Sequence, residues 1–134
     1  MPARDHYHET VRRALINDGW TLTDDPFTVL LPERFLYIDL RAEKESERLA
    51  ILVEIKGFEM ASQVEALAAA IGKYNLYRSA LEITKVTDKL YLAVPLAAFR
   101  GIISETLGQQ LIKQHDVHLL IFDPNAEEIV QWIP

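Results

Sequence analysis

Three charged residues, Asp39, Glu54 and Lys56, have the types and spacing that metal-assisted chemistry on a phosphate requires. Glu54 and Lys56 lie two residues apart in the apolar run LAILVEIKGF, residues 49–58. Because side chains alternate across a strand, these two charges are predicted to share a face near the strand's carboxyl end. Asp39 lies in the preceding run FLYIDLRAE, and hairpin pairing through the connection EKESER would bring it beside Glu54.

Two close carboxylates repel one another, so such a pair requires a cation or a shared proton. A hard divalent cation such as Mg²⁺ or Mn²⁺ accepts one or two protein carboxylates and keeps places for water and phosphate oxygens. A neighbouring lysine, here Lys56, would orient or help to deprotonate the bound water and offset charge that develops on phosphorus. The simpler interpretation is a half-exposed ion pair at a sheet edge, which contributes little to stability. The residue pattern alone leaves both interpretations open.

The elements that would position these residues begin with a helix and an antiparallel meander. Residues 4 to about 18 predict an amphipathic helix stopped by Gly19, and WTLTDDPFTVLLP predicts two extended pieces around a turn at residues 24–26. A strand from Phe35 to about Ala42 and the strand at 49–58 complete the meander. In the third of these strands, one face is predicted to carry Phe35, Tyr37 and Asp39, and the other Leu36, Ile38 and Leu40.

The second half predicts a crossover unit and a terminal strand pair. Ser62 and Glu65 fit a capping box that opens a helix running to about Glu82. The strand KLYLAVP follows, so it is expected to pair in parallel with the strand before the helix. Residues 97–114 look helical, and VHLLIFD and EEIVQWIP form the last strand pair. The predicted apolar stripe of the long helix is Val64, Leu67, Ala68, Ile71 and Leu81. The whole chain, 1–134, is predicted to be one α/β domain with a mixed sheet.

The composition limits the classes of function. A net charge of −6 argues against tight, autonomous, nonspecific DNA binding, which usually needs a basic face. It leaves room for a site where carboxylates hold a cation and the cation meets a phosphate. The chain has no cysteine, which excludes a disulfide framework or a cysteine zinc site. The start lacks the apolar core of a secretion signal and no run is long enough to cross a bilayer, so we expect a cytoplasmic protein.

The remaining chemical candidates are weaker. His6 and His8 are two residues apart, which on a helix points them to different sides, so we expect surface residues rather than a shared metal site. His115 and His118 flank a strand start without an evident partner. The aromatic residues Trp20, Tyr74, Tyr91 and Trp132 are expected to be core or interface side chains.

Two resemblances add to this interpretation. Asp39, then Glu54-Ile55-Lys56, then a long helix, resembles the PD-(D/E)xK pattern of restriction-endonuclease-like nucleases. Segments spread over almost the whole chain resemble the XisH family, described as fdxN-element excision controlling factors and found mainly in cyanobacteria and related bacteria. The segments are ARDHYHETVRRALINDGW, LYIDLRAEKE, ILVEIKGF, LYLAVP and IFDPNAEEIVQWIP.

The resemblance implies an endonuclease-like fold and a role in excising a DNA element by a site-specific recombinase, together with a small XisI-type protein partner. It implies that Asp39 and Glu54 hold the metal, that the Ile55 carbonyl is a further ligand and that Lys56 serves the water. Glu9 on the first helix is a further candidate ligand, although a solvated surface residue is an equal interpretation. A homodimer is expected only by analogy with the fold.

One departure from the family pattern affects the site. The segment IGKYNLYR resembles a family segment with Gln where this chain has Lys73. Lys73 and Tyr77 are one helical turn apart and share a face, where a cation would contact nucleic-acid phosphate or disturb the metal site. Three functions therefore remain open: a Mg²⁺-dependent endonuclease in DNA excision, an inactive scaffold that binds its partner or DNA, and a toxin-like nuclease held silent by the partner.

Overall fold

The helices lie on the two faces of a six-stranded mixed sheet in the computed structural model, which describes residues 6–134. The helices are α1 His8–Asn17, α2 Gln63–Ile83, α3 Leu96–Arg100 and α4 Thr106–Gln114. The strands are β1 Thr21–Asp24, β2 Phe27–Leu30, β3 Phe35–Ile38, β4 Leu40–Lys44, β5 Leu49–Ile55, β6 Lys89–Pro95, β7 Leu119–Asp123 and β8 Glu128–Ile133. Short 3₁₀ helices span Glu45–Glu47 and Ile102–Ser104. None of the helices described is long and apolar enough to span a bilayer.

The main sheet has the strand order β1-β4-β5-β6-β7-β8. Strands β5, β6 and β7 pair in parallel, whereas the β1–β4, β4–β5 and β7–β8 pairs are antiparallel. The predicted mixed α/β sheet, the parallel crossover through α2 and the terminal strand pair are confirmed. The predicted meander is confirmed in its antiparallel β2–β3 and β4–β5 pairs and is wrong in its first pair, because β1 pairs with β4 and the β2–β3 hairpin forms a separate two-stranded sheet.

The strand predicted from Phe35 to Ala42 is interrupted at Asp39, where β3 ends and β4 has not yet begun. Ile38 packs into the core on the α2 side of the sheet, and Leu40 packs into the core on the α1 side. Both are fully buried, so the prediction that they share a face is wrong. The bend at Asp39 breaks the alternation and carries the chain from the small hairpin into the main sheet.

Helix α2 begins as its capping box predicts, since the Ser62 hydroxyl accepts a hydrogen bond from the Glu65 N–H at 3.2 Å. Its predicted buried stripe is wrong at Val64, which is 56% exposed, and at Ala68, which is also exposed. The helix is apolar around most of its circumference, so periodicity could not select the core-facing side. The buried residues are Ala66, Leu67, Ala70, Ile71, Tyr74, Tyr77, Ala80 and Leu81.

The ends of two other predicted helices differ from the structure. Helix α1 confirms the first predicted helix over His8–Asn17, and residues 4–5 of that prediction lie outside the described residues. The single helix predicted for residues 97–114 is divided into α3, a 3₁₀ turn and α4. The division lets Gly108 of α4 lie directly against the carbonyl oxygens of the preceding 3₁₀ turn.

Candidate active site

The site is built where the chain bends between β3 and β4, opposite the carboxyl end of β5. Leu40 pairs with Val53, so Asp39 falls beside Glu54. The Asp39 N–H donates to Glu54 Oε1 at 3.2 Å, and the Ile55 N–H donates to Asp39 Oδ2 at 2.8 Å. These reciprocal bonds replace the ladder bonds that the bend removes and hold the two carboxylates together. The predicted proximity of Asp39 and Glu54 is confirmed.

The two carboxylates are held in an environment that disfavours two negative charges. Glu54 is only 3% exposed. Burial and the neighbouring Asp39 raise the pKa of Glu54 to about 8, against the opposing effect of Lys73. Burial also raises the pKa of Asp39, although the hydrogen bond from Ile55 and the charges of nearby cations oppose that shift. The pair would therefore ionise fully most readily when a cation lies against it.

Helix α2 supplies such a cation from this chain. Lys73 Nζ lies 3.0 Å from Glu54 Oε2. Burial acts to lower the pKa of Lys73, but its charge interaction and hydrogen bond with Glu54 outweigh that effect and raise it. The ammonium also lies 5.7 Å from the centre of the Tyr77 ring, so the two residues share a face as predicted. Tyr77 is buried, and burial followed by the Glu54 charge raises its pKa to about 12.

Lys56 directly follows β5 and lies next to the pair along the chain. Its backbone N–H donates to the Ala93 carbonyl at 2.9 Å, which extends the parallel pairing with β6 by one residue. Its ammonium lies 3.9 Å from the Met60 sulfur. Within the part of the chain that the structure describes, Lys56 forms no ion pair with either carboxylate. The backbone of Lys56 is thus fixed beside the site, whereas its ammonium makes a weak contact with the Met60 sulfur.

The other two candidate ligands contribute less. Glu9 is exposed and lies 3.5 Å from the Arg12 guanidinium. Ile55 gives its N–H to Asp39, while its side chain packs into the core on the α1 side. Among residues 6–134, no three His, Asp or Glu side chains converge as metal ligands would. The described site is therefore a pair of carboxylates, Asp39 and Glu54.

His8 was expected at the surface, and this prediction is wrong. Its side chain is buried at 3% exposure, and its Nε2 lies 2.9 Å from Asp25 Oδ1. A positive charge on His8 would lower the pKa of Asp39, which places the imidazole within electrostatic range of the site. The overlooked signal was helical spacing, because His8 falls three residues before Val11 and seven before Leu15, both in the core.

The remaining candidates have structural partners. His115 Nδ1 lies 3.2 Å from the Asn75 side-chain nitrogen, and the His118 ring lies 4.0 Å from Asp116. His6 is exposed, as predicted. Among the aromatic candidates Trp20, Tyr74 and Tyr91 are buried, and Trp132 is partly buried in contact with the core on the α1 side.

The donor atoms at the pair suit a hard divalent cation. Such ions take oxygen ligands, and Mg²⁺ in particular binds through one or two carboxylates while retaining water. Asp39 and Glu54 present carboxylates from adjacent segments, and an added positive charge would oppose the effect of burial, which raises the pKa of both. Lys73 already contacts one Glu54 oxygen, so it would compete with a metal ion for that oxygen.

Comparison with known proteins gives a consistent result over the whole chain. The model of the family described as XisH protein matches residues 1–130. The structure is similar to the crystal structure of an XisH family protein from Nostoc punctiforme, with a TM-score of 0.89 and 35% identity, covering 97% of this chain and all of that one. It is also similar to the crystal structure of an fdxN element excision controlling factor protein from Anabaena variabilis, with a TM-score of 0.90 and 35% identity, covering 98% and 100% of the two chains. None of the curated proteins compared with the chain matches it significantly.

Proposed function

The chain belongs to the XisH family, and we propose that it is an excision controlling factor whose Asp39–Glu54 pair supports Mg²⁺- or Mn²⁺-dependent hydrolysis of DNA phosphodiesters. The observation that carries this proposal is the carboxylate pair at the bend, in which Glu54 is buried and Asp39 is partly buried, and each carboxylate accepts a hydrogen bond from a backbone N–H. Two adjacent carboxylates whose pKa values are both raised are typical of functional sites. The similar protein from Anabaena variabilis, an fdxN element excision controlling factor, supports the assignment to DNA excision.

Each residue of the site has a role in this proposal. Asp39 and Glu54 would hold the divalent ion, and the Ile55 carbonyl is a further candidate ligand. A bound ion would supply a Lewis acid and an activated water for attack on phosphorus. Lys56, anchored at the end of β5 with a loosely held ammonium, would donate to a phosphate oxygen or to the attacking water. The buried Tyr77 packs beside Lys73 and keeps its hydroxyl protonated well above neutral pH.

Cleavage assays test the enzymatic proposal directly. The purified protein would be incubated with single-stranded, duplex and branched DNA, with Mg²⁺ or Mn²⁺, alone and with a small XisI-type protein. We expect cleavage that falls by about a hundredfold or more in Glu54→Gln, which removes a charged metal ligand, and in Lys56→Ala, which removes the ammonium that acts on the phosphate or the attacking water. Glu82→Ala, which changes an exposed carboxylate on α2, should leave the rate unchanged. Absence of cleavage across these substrates, by protein that remains folded, would overturn the proposal.

A non-enzymatic function is the second candidate, and the contact between Lys73 and Glu54 favours it. That contact satisfies the buried carboxylate without a metal ion. The pair would then serve as a clamp between the bend and β5, and the protein would act by binding an XisI-type partner or DNA, in turn affecting the recombinase. In that case Glu54→Gln and Lys56→Ala would preserve co-elution with the partner in size-exclusion chromatography and would show no change in any DNA cleavage rate. Measured self-association would show in the same experiment whether the chain forms a homodimer.

A further inference from the structure

Lys73 connects the surface of the protein with its most buried carboxylate. Its side chain is 49% exposed, whereas the side chain of Glu54 that it contacts is 4% exposed. The ammonium therefore reaches inward from solvent, and its contact with Glu54 is at hydrogen-bonding distance. A side chain in this position can leave the carboxylate without unfolding the core, because its outer half is already hydrated.

An ammonium and a divalent ion at the same carboxylate oxygen repel each other, so the ion binds Glu54 Oε2 more tightly when the Lys73 ammonium has moved away. Metal ligation requires both carboxylates to be ionised. Asp39, Glu54 and Lys73 then sum to one negative charge, and a divalent ion added to all three leaves one positive charge. A phosphodiester anion carries one negative charge, which brings the sum to zero.

We propose that Lys73 is the internal cation of this site. Without DNA, its ammonium stays paired with the Glu54 carboxylate. When the divalent ion binds Glu54, the ammonium moves to a DNA phosphate. The inference rests on the proposed metal-binding function of Asp39 and Glu54. Its consequence is that metal ion and DNA bind cooperatively, because each removes the obstacle to the other. In the free protein, Lys73 offsets one of the two carboxylate charges and weakens metal binding.

Two features keep Lys73 near the site after it leaves Glu54. Its ammonium lies over the Tyr77 ring, whose face attracts a cation. Lysine binds phosphate as a point charge on a flexible stem, so it does not require one fixed geometry. The released ammonium would thus remain close to Glu54, where it could contact a phosphodiester bound to the metal.

Mn²⁺ binding measured by calorimetry tests this inference without relying on catalysis. Mn²⁺ would be titrated into the wild-type protein, Lys73→Gln and Lys73→Arg, each alone and saturated with a phosphorothioate duplex DNA that resists hydrolysis, with titrations of the DNA alone subtracted. Lys113→Gln, which removes an exposed lysine from α4, is the matched control. Thermal unfolding without metal would verify that each variant is folded.

In the absence of DNA, we expect Lys73→Gln to bind Mn²⁺ roughly tenfold or more tightly than the wild type, because the variant lacks the ammonium that contacts Glu54 Oε2 and repels the incoming ion. DNA should tighten Mn²⁺ binding by the wild type and by Lys73→Arg, and have little effect on Lys73→Gln. Lys113→Gln should behave as the wild type. Equal Mn²⁺ affinity of the wild type and Lys73→Gln without DNA would overturn the inference.

The outcomes separate this inference from the proposed enzymatic function. The expected pattern of Mn²⁺ affinities without any DNA cleavage would support the role of Lys73 and overturn the proposed nuclease activity. If the wild type cleaves DNA and binds Mn²⁺ as tightly as Lys73→Gln, the proposed nuclease activity would be supported and the role of Lys73 overturned. If neither the wild type nor Lys73→Gln binds Mn²⁺, both the proposed nuclease activity and the role of Lys73 would be overturned.

Discussion

Asp39 combines a structural and a chemical role in one side chain. It stands at the break between β3 and β4, where the regular ladder is lost, and its carboxylate accepts the N–H of Ile55. Ile55 is 4% exposed, so water cannot readily replace this bond. A buried N–H without a partner destabilises the folded state, which makes Asp39 necessary to the local structure even if it holds no metal.

Two substitutions of Asp39 separate these roles. Asp39→Asn keeps a side-chain oxygen for the Ile55 N–H and removes the negative charge, so we expect stability close to that of the wild type. Asp39→Ala removes the acceptor, and we expect the free energy of unfolding to fall by about 1–3 kcal/mol. Urea denaturation followed by circular dichroism measures both. Equal stability of Asp39→Ala and the wild type would show that the bond is not needed to hold the bend.

The residues of the site were predictable to different degrees. Glu54 and Asp39 were predictable because a hydrophobic strand with an inward carboxylate is unusual, and pairing across one short connection brings the second carboxylate alongside. The contact of Lys73 with Glu54 was not, because the position of α2 over β5 depends on packing of the whole helix. His8 was missed because its two-residue spacing from His6 was used only to exclude a shared metal site, and its helical spacing to Val11 and Leu15 was not considered.

At the scale of elements, the alternation of side chains gave a wrong prediction where the chain passes from the core on one side of the sheet to the core on the other. The run from Phe35 to Ala42 has the composition of one strand, yet the bend at Asp39 places Ile38 and Leu40 in different cores. Alternation cannot reveal such a bend, because both residues remain buried and apolar. Helix α2 presents a related difficulty: Val64, Leu76 and Ile83 are exposed although they are apolar, so hydrophobicity alone does not identify its buried face.

The packing of α4 against the preceding 3₁₀ turn makes a prediction at this scale. A Cβ on Gly108 would lie 2.3 Å from the Ile102 carbonyl oxygen and 2.7 Å from that of Ile103. These are backbone atoms, so Gly108→Ala must push α4 away from the turn. We expect a loss of about 1–3 kcal/mol in the free energy of unfolding, as for other overpacked sites.

Gly72 is the matched control for this substitution. It lies inside α2, and a Cβ there would meet no atom within 4 Å. Gly72→Ala should therefore stabilise the protein by about 0.5–1 kcal/mol, because alanine favours the helix. Thermal or urea unfolding of the two variants would give shifts of opposite sign. A neutral Gly108→Ala would show that α4 can move away from the turn at little cost.

At the scale of the whole molecule, the net charge of −6 opposes the approach of nucleic acid. DNA binding by counterion release needs several cations aligned with phosphates. The site itself combines two carboxylates with the single contacting ammonium of Lys73, so it becomes attractive to a phosphate only after a divalent ion is added. DNA binding is therefore expected to depend on the metal ion, because the net negative charge and the metal-free site both oppose the approach of a phosphate.

DNA binding by the isolated protein should accordingly be weak without metal and stronger with it. In EDTA at physiological salt, we expect a dissociation constant for duplex DNA at or above about 10⁻⁴ M, the weak end of nonspecific binding. Ca²⁺ should strengthen binding by the wild type, because the ion bridges the carboxylates and a phosphate oxygen, whereas Asp39→Asn, which keeps the local hydrogen bond but loses a charged ligand, should respond much less. Fluorescence anisotropy of a labelled duplex measures both dissociation constants. Tight binding in EDTA, or an equal response to Ca²⁺ in the wild type and Asp39→Asn, would show that DNA meets the protein through another surface.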